Sequence, residues 1–575
     1  MIQGYKEIWV VDFEYHAPAG ETPSPICMVG LEVLSHRIIR LGPEDLASSE
    51  EAPFETGPDA LLVAYYAPAE MGCFLSLGWS RPSNILDLCA EFRWYTSGNR
   101  LVVRKGLVEA LRFFKLDEAI PVEKEQWRQL AMRGAPFSPQ EVSGLLDYCQ
   151  EDVMATAKLL HRMSNIIDFD RAFLRGLYCH ATALMERSGI PVDLRSLTLL
   201  RDSWEALRVN LVAASDTHCL FEGTTFKMSR FEAFLRENGI PWPRLESGAL
   251  CTKEDTFRQK AKAHPDRIAP IHELRTTLNK LKLNKLAVGL DGRNRTMLSP
   301  FVSKTGRNQP STTAYIFGPA TWIRGLIKPP EGSFIAYVDW SQQELGIAAC
   351  LSGDRAMCDA YRSGDPYLSF AKMAGAVPED ATKQSHPKER AMYKQCMLAV
   401  NYGMGAKSLA NTAGLGDFEA RHLLRKHRDT FPTYWDWSDR IERQGFGEGV
   451  LRSVFGWQCR VDSDSRPSSV RNFPLQANGA EMLRLAILRM QDEGVNVVAP
   501  VHDAVMVEGP IGKREELIQK TQKAMRWASE QVLPGFPLES DVKVVEYPDR
   551  YMDEERGADM WNKVMGIVGG PPFLP

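Results

Sequence analysis

The run Phe334-Ile335-Ala336-Tyr337-Val338-Asp339-Trp340-Ser341-Gln342-Gln343-Glu344-Leu345 constrains this chain more than any other stretch. Its apolar and aromatic first half reads as a buried strand, and that strand ends on a carboxylate. The residues after Glu344, Leu345-Gly346-Ile347-Ala348-Ala349, read as the start of a helix. A buried strand that delivers Asp339 to its end, beside a helix start, is a good place to hold a metal ion. Alone, an Asp there is more commonly a cap or turn residue. Its weight comes from acids and cations far away in the chain.

Near the N-terminus, Ile8-Trp9-Val10-Val11 is a short apolar strand that ends in Asp12-Phe13-Glu14. Positions two apart on a strand face one side, so both carboxylates enter one site. Ile26 to Val33 reads as a second strand, and Leu61 to Tyr66 as another whose downstream helix carries Glu70. Tyr148 and Asp152 lie four apart on the helical pattern Val142–Leu160, hence on one face. Four acids converging in a small α/β domain suit two divalent cations. Each motif also occurs by chance on a solvated face.

Further on, Cys179–Ser188 has a helical pattern, Gly189 to Asp193 reads as an exposed turn, and Leu194–Leu211 as one restarted helix. In Arg390-x-x-x-Lys394-x-x-x-Leu398-x-x-x-Tyr402-Gly403, steps of four advance about 400° on a helix, so the residues form one slowly winding stripe. It is cationic at its start and aromatic at its end, which suits a nucleoside triphosphate. Val495 to Gly509 places two apolar runs around His502-Asp503, a hairpin with the acid at its tip. Packed beside the Asp339 strand, that tip would set two carboxylates on one pair of divalent ions, and oxygen ligands with phosphate chemistry favour Mg²⁺ over zinc.

Composition bounds the partners. The chain has 575 residues, 44% hydrophobic and 25% charged, which predicts several lobes and no unusual class. No apolar run is long enough to span a membrane, and the N-terminus lacks a basic-then-apolar signal segment. Eleven scattered cysteines without a Cys-x-x-Cys pair predict reduced thiols in a cytoplasm. With a net charge of −4, any nucleic-acid surface must be local. The segment 270–307 supplies one, with Arg275, Lys280, Lys282, Lys285, Arg293, Arg295, Lys304 and Arg307 against Glu273 and Asp291.

Asp12-x-Glu14, Glu70 and Tyr148-x-x-x-Asp152, in that order, resemble the three motifs of the 3′→5′ proofreading exonucleases. The resemblance implies Asp12, Glu14 and Asp152 as metal ligands and Tyr148 as the residue that positions the attacking water. The middle motif departs from the pattern: Tyr66-Ala67-Pro68-Ala69-Glu70 stands where the family has Asn-x-x-x-Asp. Asp339 to Leu345, the Arg390 to Gly403 stripe and Val501-His502-Asp503 resemble motifs A, B and C of the family A DNA polymerases, the DNA polymerase I lineage. The resemblance runs from about residue 8 to 550. It implies Asp339, Asp503 and the Trp340 carbonyl as metal ligands, and Arg390 and Lys394 as holders of the triphosphate. It also implies a Glu344–Tyr402 hydrogen bond that closes the space a ribose 2′-hydroxyl needs. Thr305, Arg307, Arg324, Asn472, Gln476 and His502 would touch template and primer. Three positions depart from the family. Ala504 replaces a Glu, so a third carboxylate is expected to be absent; Leu398 replaces a common aromatic; and Tyr367 stands where relatives place a phosphate-binding His.

The expected fold is a multidomain α/β chain, a ribonuclease H-like exonuclease domain (1–165) followed by a right-hand polymerase. Its thumb covers 170–300, its palm 301–350 and 451–575, and its fingers 351–450, with no room for a 5′-nuclease domain. The expected partners are primer–template DNA and deoxynucleoside triphosphates, with two Mg²⁺ per site (Mn²⁺ as a substitute) and no membrane. Such a compact enzyme suggests phage replication in a host cytoplasm. The rival readings are a polymerase with an inactive exonuclease domain and a non-catalytic DNA-binding replication factor.

Overall fold

The computed structural model describes residues 4–116, 118, 124–280 and 283–573; Lys282 lies outside the described residues, as does the side chain of Lys280. The first half is built on five strands, β1 (Glu7–His16), β2 (Ser24–Glu32), β3 (Ile38–Leu41), β4 (Ala60–Ala64) and β5 (Ile85–Asp87). Their spatial order is β3-β2-β1-β4-β5. The β1–β2 and β2–β3 pairs are antiparallel, and the β1–β4 and β4–β5 pairs parallel. This is the ribonuclease H-like arrangement. Alternation along β1 sorts its side chains into two cores. Trp9, Val11 and Phe13 face the core that holds helix Ala67–Leu77, where Phe13 meets Phe74, whereas Ile8 and Val10 pack with helix Pro139–Met163. Asp12 and Glu14 share the parity of Ile8 and Val10, so they face helix Pro139–Met163, which carries Tyr148 and Asp152.

The second half is organised by a four-stranded antiparallel sheet of Asn496–Val501, Ala504–Pro510, Ser333–Trp340 and Ser540–Glu546, in that spatial order. Helices Pro467–Asp492 and Arg514–Val532 pack beside it. No helix is long and apolar enough to cross a membrane among the described residues.

Two local expectations change. The segment after Gly189 is no exposed turn: Ile190–Pro191 is buried and pairs with Arg293–Asn294, because apolar Ile190 finds a partner strand about a hundred residues away. The helix expected over Leu194–Leu211 is two, Leu194–Asp202 and Trp204–Ser215, interrupted at Ser203. Leu197, Leu200 and Leu207 stay buried across the interruption, so the apolar face that the periodicity reported is real although the helix is broken.

The halves are interlocked by backbone. A Cβ on Gly20 would stand 2.3 Å from the Gly289 nitrogen, and the Leu290 N–H donates to Glu21 Oε1 at 2.8 Å. Helix Phe169–Ser188 serves both halves: a Cβ on Gly176 would stand 1.9 Å from the Ile85 carbonyl oxygen, and the Ser188 hydroxyl donates to Asn496 on the four-stranded sheet. The end of helix Leu88–Thr96 is tied down as well. Arg93 donates to the Pro300 carbonyl (2.6 Å), Trp94 Nε1 to that of Gly456 (2.8 Å), and Ser97 Oγ to that of Lys304 (3.0 Å).

Candidate active sites

Asp339 sits next to last on strand Ser333–Trp340, in register with Ala504 on one side and Asp541 on the other. Trp340, one position on, points to the opposite face and is buried. Asp503 lies in the turn between Asn496–Val501 and Ala504–Pro510, as the hairpin pattern predicts. Burial, then the charges of Asp503 and Asp541, push the Asp339 carboxyl up to about 7. Its Oδ1 is buried without a hydrogen-bond partner among the described residues. A desolvated carboxylate facing further carboxylates is the electrostatic signature of a place for a cation.

Asp541 corrects the expectation that Ala504 leaves the site without a third carboxylate. The acid comes from strand Ser540–Glu546, whose register sets it across from Asp339, and it accepts a 2.7 Å hydrogen bond from Ser341 Oγ. The available signal was an acid opening an alternating strand, Asp541-Val542-Lys543-Val544; its pairing partner was not readable. Two non-glycine residues next to these acids are left-handed, Gln342 at φ 49° and His502 at φ 59°. Such backbone costs about 1–3 kcal/mol each and persists where packing over-determines it.

Arg390 and Lys394 lie on helix Pro387–Asn401. The Tyr367 ring lies between them, 5.6 Å from each cationic group. Arg390 Nε also donates to Asp365 Oδ2 at 2.5 Å, and Asp365 caps the helix Pro366–Met373 that carries Tyr367. Leu398 is 38% exposed and Tyr402, just past the helix end, 48%, so the stripe does face outward. Gly403 follows at φ 63°, and a Cβ there would stand 2.6 Å from Ser468 Cβ. Gly403→Ala should therefore cost about 1–2 kcal/mol and raise the KM for a substrate held along the stripe by shifting Tyr402. Melting temperature and steady-state kinetics measure both.

The Glu344–Tyr402 hydrogen bond is absent. Glu344 Oε1 accepts instead from Gln476 Nε2 at 2.5 Å, and Gln476 Oε1 accepts from Arg307 Nη1 at 2.6 Å. Gln476 projects from helix Pro467–Asp492 toward Glu344, whereas Tyr402 is half out in solvent at a helix end. Thr305, Asn472 and Gln476 line a groove of about 770 Å³ together with Lys304, Arg460, Arg466 and Arg100. Arg307, Arg324 and His502 do not line it. They lie near one another, since both arginines help burial to lower the His502 pKa, and Arg324 is held 3.7 Å from Asp553 and stacked over Phe317.

In the first half, one oxygen each from Asp12, Glu14 and Asp152 lie within 4.8 Å of one another, a group able to hold a metal ion. Glu70 is 3% exposed, and its Oε2 has no hydrogen-bond partner among the described residues. Burial first, and then the Asp12 charge, hold its carboxyl well above the usual range. Burial, followed by Asp152, raises the Tyr148 phenol. Glu14 and Tyr148 face a cavity of about 650 Å³ whose far wall includes Glu186, Arg187 and Arg295 from beyond the first half. Tyr66, at the position of the resemblance's Asn, is left-handed at φ 83°. Asn tolerates that conformation and a bulky aromatic does so poorly. The Tyr66 and Ala67 N–H groups both donate to the buried Asp87 carboxylate, which holds the bend.

A sequence model of DNA polymerase family A matches residues 245–547, more than half of the chain. DNA polymerase I of Aquifex aeolicus (strain VF5) is 26% identical over 407 residues, 68% of this chain and 68% of that protein. The thermostable DNA polymerase I of Thermus aquaticus is 28% identical over 239 residues, 39% of this chain and 28% of that protein. The DNA polymerase of Mycobacterium phage L5 is 26% identical over 250 residues, 43% of this chain and 40% of that protein. The matches thus span less than two thirds of the Thermus and phage proteins. Among solved structures, the POL domain of Pol1 from M. smegmatis, in complex with DNA primer-template and dNTP, matches with a TM-score of 0.72 at 19% identity, over 93% of this chain and 94% of that one. That likeness is one of fold. The sequence match and the architecture agree: the chain belongs to DNA polymerase family A.

Proposed function

We propose that this chain is a DNA-templated DNA polymerase that extends primer 3′ ends with deoxynucleoside triphosphates, and that its first half is a 3′→5′ exonuclease acting on primer ends. The observation that carries the polymerase reading is Asp339, desolvated at the end of a central strand, with Asp503 and Asp541 near enough to raise its pKa. The orphaned Oδ1 of Asp339 and the all-oxygen donor set fit Mg²⁺, with Mn²⁺ as a substitute. Asp339, Asp503 and the Trp340 carbonyl would hold two ions there. Bound ions supply activation of the primer 3′-hydroxyl and neutralisation of the leaving pyrophosphate.

The chain's own residues do the rest. Arg390 and Lys394, backed by the Tyr367 ring, bind the triphosphate. Leu398 and Tyr402 offer an apolar shelf to sugar and base. Glu344, fixed by Gln476, closes the space that a ribose 2′-hydroxyl would occupy. Thr305, Arg307, Arg324, Asn472, Gln476 and His502 contact primer and template. In the first half, Asp12, Glu14 and Asp152 would hold metal, with Tyr148 orienting the attacking water. The buried, unpaired Glu70 oxygen supports a place for Glu70 in that set despite its extra methylene. The likeness to the phage L5 protein supports phage genome replication as the setting.

A 5′-labelled primer on a longer template, with Mg²⁺, tests both activities. Extension with deoxynucleotides and shortening without them is the expected result. Extension without shortening would leave a polymerase with an inactive exonuclease domain. No extension, with DNA still bound, would favour a non-catalytic DNA-binding replication factor.

A further inference from the structure

After helix Leu88–Thr96 the chain makes a turn at Ser97-Gly98-Asn99 and runs through Arg100-Leu101-Val102-Val103-Arg104 to helix Leu107–Phe113. Along this loop Val102 packs against the first half's core, whereas Leu101 is 93% exposed and Val103 87%. With Val102 packed inward, its two aliphatic neighbours are left facing outward. Single exposed aliphatics are ordinary; two on one firm ridge call for a partner.

The ridge does not wave free. Its root is tied to the polymerase half by Ser97 Oγ to the Lys304 carbonyl and by the Arg460 N–H to the Ser97 carbonyl (2.9 Å). Gly98, at φ 79°, lies so close that a Cβ would stand 2.4 Å from the Arg460 carbonyl oxygen. Arg100 forms part of the wall of the 770 Å³ groove, where Lys304, Arg460 and Arg466 also lie, and it pairs with Asp462 and Asp464 at 3.3 and 3.4 Å. Exposed Arg104 flanks Val103. The apolar pair therefore stands on the lip of a cationic groove whose other residues include Thr305, Asn472 and Gln476.

We propose that this loop is a docking ridge for single-stranded template DNA. Unpaired bases pack on Leu101 and Val103, while the phosphates run past Arg104 and the groove cations, with Arg100 leaving its aspartates for phosphate. Charge complementarity selects a polyanion, and two aliphatic side chains select a strand whose base faces are open, as they are not in a stacked duplex. The proposal rests on the polymerase reading of the groove and adds to it a template contact supplied by the other half of the molecule.

The test measures binding of the full chain at fixed salt, by fluorescence anisotropy, to a primer–template with about ten unpaired template nucleotides and to the blunt duplex of the same primer. L101S/V103S should weaken binding to the overhang DNA about tenfold and leave the blunt duplex unchanged, because both side chains lie outside the core. Arg104→Ala should lower the salt slope on the overhang DNA by about one. Unchanged affinity for both DNAs would overturn the proposal and leave the ridge to a protein partner, and equal losses on both would overturn it in favour of duplex contact. Primer extension reports separately on the polymerase reading: overhang-selective loss in a chain that never extends primers would sustain the ridge and sink the activity.

Discussion

Asp339→Asn should lower single-turnover primer extension by at least about a thousandfold while primer–template affinity stays within a few-fold. The side chain keeps its shape and loses the charge that would hold a divalent cation, and stabilisation by such an ion is worth several kcal/mol at the transition state. Retention of a tenth of the wild-type rate would remove Asp339 from the site. The same variant carries a stability signature of opposite sign. In the metal-free protein the Asp339 carboxyl titrates near 7 rather than at its ordinary 3.8, chiefly through burial. Between those values the folded state keeps a proton that the unfolded chain has released, so stability falls as pH rises from 3.8 to about 7 and stays at the lower level above. Asn cannot ionise and escapes that loss. In EDTA at alkaline pH the variant should melt above wild type, and the gap should close as the pH falls through 7 toward 4. A constant gap across that range would show that the charge is not what destabilises the site.

The largest stability effect should come from Glu91→Ala. Glu91 is 1% exposed and Arg175 5%, and the two form a bidentate pair at 2.6 and 2.7 Å. The guanidinium also lies 5.5 Å from the Trp94 ring, whose Nε1 reaches the polymerase half at Gly456. Removing only the carboxylate strands a buried cation, which costs about 3–5 kcal/mol. Replacing both partners by apolar residues (Glu91→Leu with Arg175→Met) should recover most of it, because no charge is then left unpaired. Denaturant melts of the single and double variants decide. A single variant within 1 kcal/mol of wild type would show that water reaches the guanidinium.

What was legible in the sequence had a local period. Asp12 and Glu14 share a face because strands alternate; Tyr148 and Asp152 share one because helices advance 100° per residue; Asp503 sits at a hairpin tip because two apolar runs flank it. The structure brings Asp12, Glu14 and Asp152 within ligand distance, as those periods imply. What stayed hidden depends on partners far along the chain. Asp541 meets Asp339 through sheet register across about two hundred residues. Glu344 chooses Gln476 over Tyr402 through helix placement, and Ile190–Pro191 finds Arg293–Asn294 through the fold. The left-handed turn at Tyr66 was equally silent, since the sequence offers a bulky ring where a small amide would announce the bend.

The crossing of Gly20 over Gly289, and the helix Phe169–Ser188 wedged against both sheets, turn the two acid clusters into the jaws of a caliper rather than the ends of a hinge. Close backbone contacts tie the elements that carry the two clusters to one another. On the proposed pair of activities, a strand end exchanged between the two clusters would have to cross the gap between them by melting terminal base pairs. The choice between adding and removing a nucleotide would then follow the stability of the terminal base pairs, and with it temperature and base composition, more than any bending of the protein.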